Sequence, residues 1–183
     1  MFEMPELVVP AVLFQKSYLA AVAELVDEGR AGTGDSTVAR ELREFGGRWE
    51  TEEGFSAYVR QLHADAQEST KRAAYLVPST TWWWIEGTDY LGRISLRHRL
   101  TERLLEIGGH IGYDVRPSAR RKGHATSMLG AVLPHTYALG IDPALLTCDI
   151  DNVASRKVIE ANGGVFEDSR SGKLRFWVPT RAA

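Results

Sequence analysis

The sequence contains a single cysteine, Cys148, which excludes an internal disulfide and a cysteine-rich zinc site. It also lacks the basic start and apolar core of a secretory signal, and no apolar run approaches the roughly 18 residues of a membrane-spanning helix. The Gly-x-x-x-x-Gly-Lys-Ser/Thr and Gly-x-Gly-x-x-Gly motifs of nucleotide-binding loops are absent as well. We therefore expect a soluble cytoplasmic protein that does not bind nucleotides through either of these motifs.

Charge of one sign is not in excess. The chain has 22 basic and 24 acidic residues, and its dense basic cluster is local, at residues 116–122. A general binder of nucleic acid or of membrane surfaces would carry a broader basic surface, so neither partner is expected. The 183 residues are 44% hydrophobic and contain no repeat or clear linker. They fit one domain over residues 1–183, able to bury a substantial core.

Hydrophobic periodicity and turn residues predict the secondary structure. Strands are expected over 7–9, 82–85, 91–98, 107–115 and 145–150, and again between Gly164 and Val178. Helices are expected over 14–28, 38–45 and 52–68, from Gly123 onward and up to about Ala161, with a loop over 30–37. The predicted fold is α/β, with a mixed sheet and helices on both faces, in the order β-α-α-β-β-β-α-β-α-β-β. The crossover between the strands ending at 115 and beginning at 145 should be parallel and right-handed.

The most informative segment is V-R-P-S-A-R-R-K-G-H-A, residues 115–125. A predicted strand reaches a basic turn, and Gly123 then opens a helix. The first turn of a helix has unpaired N–H groups and a partial positive charge of about +0.5, so this loop can hold a phosphate or pyrophosphate. Gly123 lets an anion approach the backbone, and Ala125 keeps the next position small. A solvated basic turn is the alternative.

The spacing Arg120-x-x-Gly123-x-Ala125 resembles the Arg/Gln-x-x-Gly-x-Gly/Ala signature of the GNAT superfamily of acyl-CoA-dependent N-acyltransferases. Loop amides in that family bind the pyrophosphate of coenzyme A. The strand at 145–150 and the Asn152-x-x-Ser155 helix resemble the family's C-terminal half. The residues around both motifs are similar to those of a bacterial subgroup of predicted acetyltransferases. The resemblance covers about residues 107–178. It implies acetyl-CoA as acyl donor, an amine on a small molecule or protein as acceptor, and no metal.

The resemblance also implies where the cofactor binds. Its pantetheine arm would enter between the strands ending at 115 and beginning at 145, which splay apart in the family, and the Val115 N–H would donate to the oxyanion. Asn152 and Ser155 also suit a plain capping pair. The implied cofactor-binding residues are Tyr113, Val115, Arg120, Arg121, Lys122, Gly123, His124, Ala125, Thr126, Asn152 and Ser155.

The sequence departs from the family at the general acid. Many members carry a tyrosine seven residues after the helix-start asparagine, where it is thought to protonate the departing thiolate, but this chain has Ile159. An isoleucine cannot donate a proton, so Ser155 or Tyr113 serves instead or the thiolate leaves without a dedicated acid. A coenzyme A-binding sensor without catalysis is the alternative function.

Three residues are candidates for the base that accepts the amine proton: His110, Asp114 and Glu106. His110 comes first because an unperturbed histidine pKa of about 6.5 suits proton transfer near neutral pH. Asp114 alternates onto the same strand face and could assist. The alternatives are that His110 is a hydrogen-bonded support of the sheet and Asp114 a solvated turn carboxylate. The predicted catalytic residues are His110, Asp114 and Ser155.

The acceptor site is expected in the segments 14–68 and 82–98, where Arg97 and His98 end a strand. Trp83 should point opposite to Trp82 and Trp84, and core packing is favoured over an acceptor-binding wall. The acidity of Asp27, Glu28, Asp35, Glu41 and Glu44 would favour a cationic amine, although a solvated helix face explains it equally well. The expected assembly is a monomer or homodimer.

Overall fold

The computed structural model describes residues 4–30 and 37–181. In these ranges it has seven strands: β1 Glu6–Val8, β2 Ser79–Glu86, β3 Asp89–Arg97, β4 Ile111–Val115, β5 Ala144–Asp149, β6 Val165–Arg170 and β7 Lys173–Val178. The α-helices there are α1 Gln15–Asp27, α2 Thr37–Phe45, α3 Glu52–Ala64, α4 Glu102–Glu106, α5 His124–Ala138 and α6 Val153–Ala161. No helix in the described ranges is long and apolar enough to cross a membrane.

The strands form two antiparallel sheets, in the orders β1-β2-β3-β4 and β5-β7-β6. The sheets meet where β4 and β5 begin. The His110 N–H donates to the Leu145 carbonyl over 2.7 Å, and His110 Nδ1 accepts from the Leu145 N–H over 2.9 Å. Neither sheet pairs β4 with β5 along its length. The predicted α/β class with flanking helices is confirmed, but the sheet is divided at the place where the cofactor arm was expected to enter.

The strand predicted over 107–115 is shorter in the structure, because two glycines break it. Gly108 and Gly109 have φ of +108° and +59°, and β4 begins only at Ile111. A Cβ on Gly109 would lie 2.3 Å from the Leu145 carbonyl oxygen. Only a glycine permits this contact between the two sheets. His110 therefore lies at the junction before β4 and not on the strand itself.

Other predicted boundaries shift modestly. β2 and β3 extend further than expected, and α3 ends at Ala64 instead of 68. The five-residue α4 was not predicted, since one helical turn is too short to show a hydrophobic period. Its start is capped by Thr101, whose hydroxyl accepts from the Leu104 N–H. The predicted loop over 30–37 lies, apart from its two ends, outside the described residues.

Each face of the first sheet packs against different helices. Trp84, Ile94, Met128 and Leu129 belong to the core that joins this sheet to α5 and to the second sheet. On the opposite face, Trp83 is fully buried in an aromatic cluster with α1 and α3, stacked on Tyr18 at a ring distance of 5.2 Å. The prediction that Trp83 points away from its neighbours and packs in the core is confirmed.

A buried ion pair fixes α2 to the first sheet. Arg93 of β3 donates to Glu41 of α2 over 2.5 Å, and both side chains are only 6% exposed. Tyr58 also donates to Glu41, over 2.9 Å. A buried charge is stable only when it is paired and hydrogen-bonded, so this contact determines where α2 lies. α2 thereby becomes one wall of a cleft along β3.

Candidate functional site

The start of α5 is open to an anion. Gly123 precedes the helix with φ +83°, no side chain caps the first N–H groups, and no acidic residue lies in the first turn. In contrast, α3, α4 and α6 are each capped by a side chain, from Thr51, Thr101 and Asn152. Because first-turn N–H groups need an acceptor, the start of α5 suits a bound phosphate group.

The loop before α5 is attached to α1 through Glu24. This carboxylate accepts from the Arg116 guanidinium, from the Ser118 N–H over 2.9 Å and from the Ser118 hydroxyl over 3.0 Å. The hydrogen bonds from Arg116, the largest cause, lower the pKa of Glu24 to about 2. The loop is therefore held in shape by contacts among the protein's own residues.

We expect Glu24→Gln to loosen this loop. A carboxyl group whose pKa is lowered on folding stabilises the fold fully above its unfolded pKa, near 4.5, and loses that effect as pH falls toward 2. Urea unfolding at pH 7 should show a loss of about 1–2 kcal/mol in the variant. The loss should shrink at pH 3. Asp27→Asn, on the exposed side of the same helix, is the control, and an equal loss at both pH values would contradict the role of the carboxylate.

The structure separates the three basic residues that were predicted to contact phosphate. The Arg120 guanidinium donates to both carboxylate oxygens of Glu28, over 2.5 and 2.9 Å, and to the Val115 carbonyl over 3.1 Å. The Arg120 side chain therefore stabilises the loop through contacts with other residues of the protein. Arg121 and Lys122 are exposed, and no ion pair to another described residue is found for either. These two side chains and the backbone beyond Gly123 are the groups that fit a pyrophosphate.

Across the gap between the sheets, β4 and α6 are joined by two hydroxyl groups. Tyr113 Oη and Ser155 Oγ are 2.7 Å apart, and Tyr113 also donates to the Ser155 carbonyl over 3.3 Å. Burial raises the pKa of Tyr113 to about 12, so it stays protonated at neutral pH. The Ser155 N–H donates to Asn152 Oδ1 over 3.0 Å, which confirms the capping role of Asn152.

Ile159, at the position of the usual tyrosine, does not face a site. It is fully buried, and a Cβ on Gly164 would lie 2.5 Å from its side chain. This position therefore belongs to the core beneath α6. The two hydroxyl groups that the sequence offered as substitutes are the ones the fold brings together.

The three candidate bases have different surroundings. His110 is 8% exposed, its Nδ1 already accepts the Leu145 N–H, and burial together with the Arg97 charge lowers its pKa to about 4. This geometry favours the supporting role. Glu106 lies at the end of α4 and pairs with Arg170 over 3.2 Å. Asp114 accepts from Arg30 over 2.9 Å and lines a cavity of about 160 Å³ beside Gly112 and Tyr113.

This small cavity continues into a larger one, which we call the β3 cleft. The cleft has a volume of about 750 Å³ and lies along β3 between α2, the end of α3 and α4. The two cavities share Thr37, Arg93, Ser95 and Arg97. Among the other described residues of the cleft are Arg40, Asp65, Thr81, Arg103, Leu104 and Gly108.

Sequence reasoning anticipated Arg97 and Glu41 in this region but missed Arg40, Asp65 and Arg93. Arg93, Ser95 and Arg97 alternate along β3, and this period was the one signal that could have placed them on a common face. His98, also anticipated, hydrogen-bonds to Thr80 over 2.8 Å. The acidity thought to favour a cationic amine is partly neutralised, since Glu28 pairs with Arg120 and Glu41 with Arg93. Asp35 lies outside the described residues.

In the part of the chain that the structure describes, no group of three His, Cys, Asp or Glu side chains could hold a metal ion. Cys148 is 5% exposed within the core around β5, and burial raises its pKa. Cys148 is therefore a small buried hydrophobic residue of the core.

Comparison with known proteins relates this arrangement to one family. The model of the acetyltransferase (GNAT) domain matches residues 33–165. No curated protein matches the sequence. Solved structures with the same fold include the microcin C7 self-immunity acetyltransferase MccE in complex with acetyl-CoA and AMP, at TM-score 0.63 and 13% identity, covering 94% of this chain and 91% of that one.

Two further structures are similar over nearly the whole chain. The ribosomal-protein-S5-alanine acetyltransferase of Vibrio fischeri has a TM-score of 0.65 at 13% identity, covering 97% of this chain and 93% of its own. Mycobacterium smegmatis RimJ, in complex with a coenzyme A disulfide, has a TM-score of 0.60 at 18% identity, covering 98% of this chain and 87% of its own. With the family model matching most of the chain and the open start of α5 in place, this protein belongs to the GNAT family of acetyltransferases.

Proposed function

We propose that this protein transfers an acetyl group from acetyl-CoA to a primary amine, by direct attack of the amine in a ternary complex. The observation that carries the proposal is the position of β4. One end of β4 leads to the open start of α5, and its Gly112 and Asp114 line the small cavity that continues into the β3 cleft. A donor held at the loop and an acceptor held in the cleft would meet along β4. Such positioning can remove about 7–11 kcal/mol of an entropic barrier in well-oriented systems.

In this proposal the loop holds the donor. The N–H groups of His124, Ala125 and Thr126 and the side chains of Arg121 and Lys122 would bind the pyrophosphate. Tyr113, Asn152 and Ser155 are proposed contacts of the pantetheine arm, and the Val115 N–H is the proposed oxyanion donor. When bound, acetyl-CoA supplies a thioester, whose acyl carbon accepts the amine nitrogen as its bond to sulfur breaks. Arg120 supports the loop through Glu28 and Val115.

Two side chains are proposed to accept and donate the protons of the reaction. The Asp114 carboxylate, in the small cavity, would accept the proton that the amine loses, directly or through a water molecule. The Tyr113 hydroxyl would donate its proton to the departing thiolate, with Ser155 orienting it. We assign His110 the supporting role at the junction of the sheets, because its Nδ1 lone pair is already used there.

The test is an assay of free thiol after the protein is incubated with acetyl-CoA and a panel of amines. Thiol release that depends on both the protein and an amine is the expected result. Binding of acetyl-CoA in a calorimeter without thiol release from any amine would favour the alternative of a coenzyme A sensor. No heat at millimolar coenzyme A would rule out both functions.

A further inference from the structure

We propose that the acceptor carries an anionic group, a carboxylate or a phosphate, and that Arg97 and Arg40 bind this group in the β3 cleft. The inference rests on the proposed function and adds the class of substrate to it. It follows from the size of the cleft, from its charge and from the hydrogen bonds that its arginines make.

The cleft has the size of a small-molecule site. Its volume of about 750 Å³ lies within the roughly 300–1,000 Å³ of typical ligand pockets. Through Ser95 and Arg97 it is continuous with the small cavity beside Asp114. A ligand in the cleft can therefore extend its amine toward β4.

The cleft is basic although the whole chain is slightly acidic. Of the described residues that line it, seven are Arg or Lys and three are Asp or Glu. The formal net charge of the chain is −2, so this local excess of cations is a property of the cleft. Several cations around one concave surface raise the local concentration of anions.

Some of these cations already have partners. Arg93 pairs with Glu41, Lys173 pairs with Asp149, and Arg72 donates to backbone carbonyls at the end of α3, among them Asp65. These three side chains build the walls of the cleft.

Arg97 is held firmly but its charge is not paired. Its Nη1 donates to the carbonyls of Gly108 and Gly109, over 3.0 and 3.1 Å. No carboxylate among the described residues forms an ion pair with it. Burial, and then the charge of Arg40, lower the pKa of Arg97. A half-buried guanidinium without a counter-charge is costly, and a bound anion would supply that charge.

Arg40 also lines the cleft, and no ion pair to another described residue is found for it. It is half-buried in α2, close enough to lower the pKa of Arg97. Asp65, the acidic group whose pKa Arg40 also influences, is hydrogen-bonded to Gln61 over 2.7 Å instead. Two guanidinium groups that line one cleft can bind a carboxylate or a phosphate through charge-assisted hydrogen bonds.

The position of Arg97 places the anion beside the reaction site. A Cβ on Gly112 would lie 3.7 Å from Arg97 Nη2, so the guanidinium lies against β4, two residues before Asp114. An acceptor bound there would have its amine a few bonds away from its anionic group. Amino acids, their derivatives and amino-phosphates fit this description, whereas polyamines do not.

The first arm of the test measures anion binding without catalysis. With coenzyme A present to occupy the loop, inorganic phosphate and succinate should each raise the unfolding temperature more than chloride at equal ionic strength, and the stronger of the two identifies the anion. Arg97→Gln should weaken this binding by about 10- to 100-fold, the equivalent of one or two charge-assisted hydrogen bonds. The anion affinity of Arg97→Lys should lie between those of the native protein and Arg97→Gln, and Arg40→Gln should weaken anion binding less than Arg97→Gln does. Arg60 is exposed on α3, so Arg60→Gln should leave anion binding unchanged.

The second arm compares pairs of acceptors with and without the anionic group, each at equal concentration of unprotonated amine. Glycine against glycinamide, and O-phosphoethanolamine against ethanolamine, should differ by at least tenfold in kcat/KM, and Arg97→Gln should remove the difference without changing the Kd for acetyl-CoA. Neutral amines or spermidine acetylated as fast as the anionic ones would overturn the inference and leave the proposed function standing. Anion binding that depends on Arg97, without thiol release from any amine, would count against the proposed function alone. If phosphate and succinate raise the unfolding temperature no more than chloride does, the proposed anion site is wrong.

Discussion

Tyr113→Phe is expected to lower kcat by about 100-fold and to change the Kd for acetyl-CoA by less than about twofold, because general acids typically contribute 10²- to 10⁴-fold. The variant keeps the ring that packs against the core and loses only the hydroxyl that lies 2.7 Å from Ser155 Oγ. A value near the lower bound is expected because a thiol with a pKa of about 8.5 is a tolerable leaving group even without help. Single-turnover and steady-state rates, with calorimetry for Kd, separate the two constants.

The pH dependence supports the same test. Burial raises the pKa of Tyr113 to about 12, so the group remains a proton donor across the neutral range and should cause no loss of rate until pH approaches that value. Ser155→Ala should lower kcat less, since it removes only the partner that orients the hydroxyl. Tyr137→Phe, on the exposed side of α5, is the matched control. If Tyr113→Phe keeps kcat within threefold of the native value, the thiolate needs no dedicated acid.

Gly123→Val is expected to raise the Kd for acetyl-CoA at least tenfold while the fold survives. Nothing lies within 4 Å of a Cβ built on Gly123, so the added side chain meets no protein atom. It does enter the space before the first turn of α5, where a pyrophosphate must approach the N–H groups. The left-handed φ of +83° also costs a non-glycine residue about 1–2 kcal/mol. Isothermal titration with acetyl-CoA measures the effect.

The chain offers a matched control for this substitution. Gly140 follows the other end of α5, has φ +76°, and likewise has nothing within 4 Å of its Cβ position. Gly140→Val should therefore lose about the same stability and bind acetyl-CoA normally. Equal Kd values for the two variants would show that the start of α5 is not the cofactor site.

The loop around Gly123 was predictable because its information is local. A strand, a basic turn, a glycine and an amphipathic run are read from about 20 consecutive residues, and these are enough to place the helix start, although Glu24 and Glu28 hold the loop before it. The same holds for the cap of α6, where Asn152 and Ser155 are three residues apart. The boundaries of β4 were wrong because the turn at Gly108 and Gly109 forms against Leu145, and this contact is not local.

The roles of individual side chains depended on partners far away in the sequence. Arg120 and Arg121 are neighbours in one basic cluster, but Glu28, just after α1, pairs with Arg120 and leaves Arg121 exposed. The sequence shows only that residue 110 is a histidine. In the structure, its Nδ1 accepts a hydrogen bond from the Leu145 N–H and burial lowers its pKa. Such pairings are determined when helices and sheets pack, so no spacing pattern reveals them.

The sequence by itself determined the family, the class of fold and the position of the uncapped helix start at Gly123, because each of these follows from short-range order along the chain. Only the tertiary structure decided which cations are paired, that Tyr113 of β4 and Ser155 of α6 meet, and that Arg40 and Arg97 line a common cleft. The physical reason is that charge pairing, burial and proton affinity depend on distances between residues separated by tens of positions. Those distances exist only after the two sheets and their helices have packed.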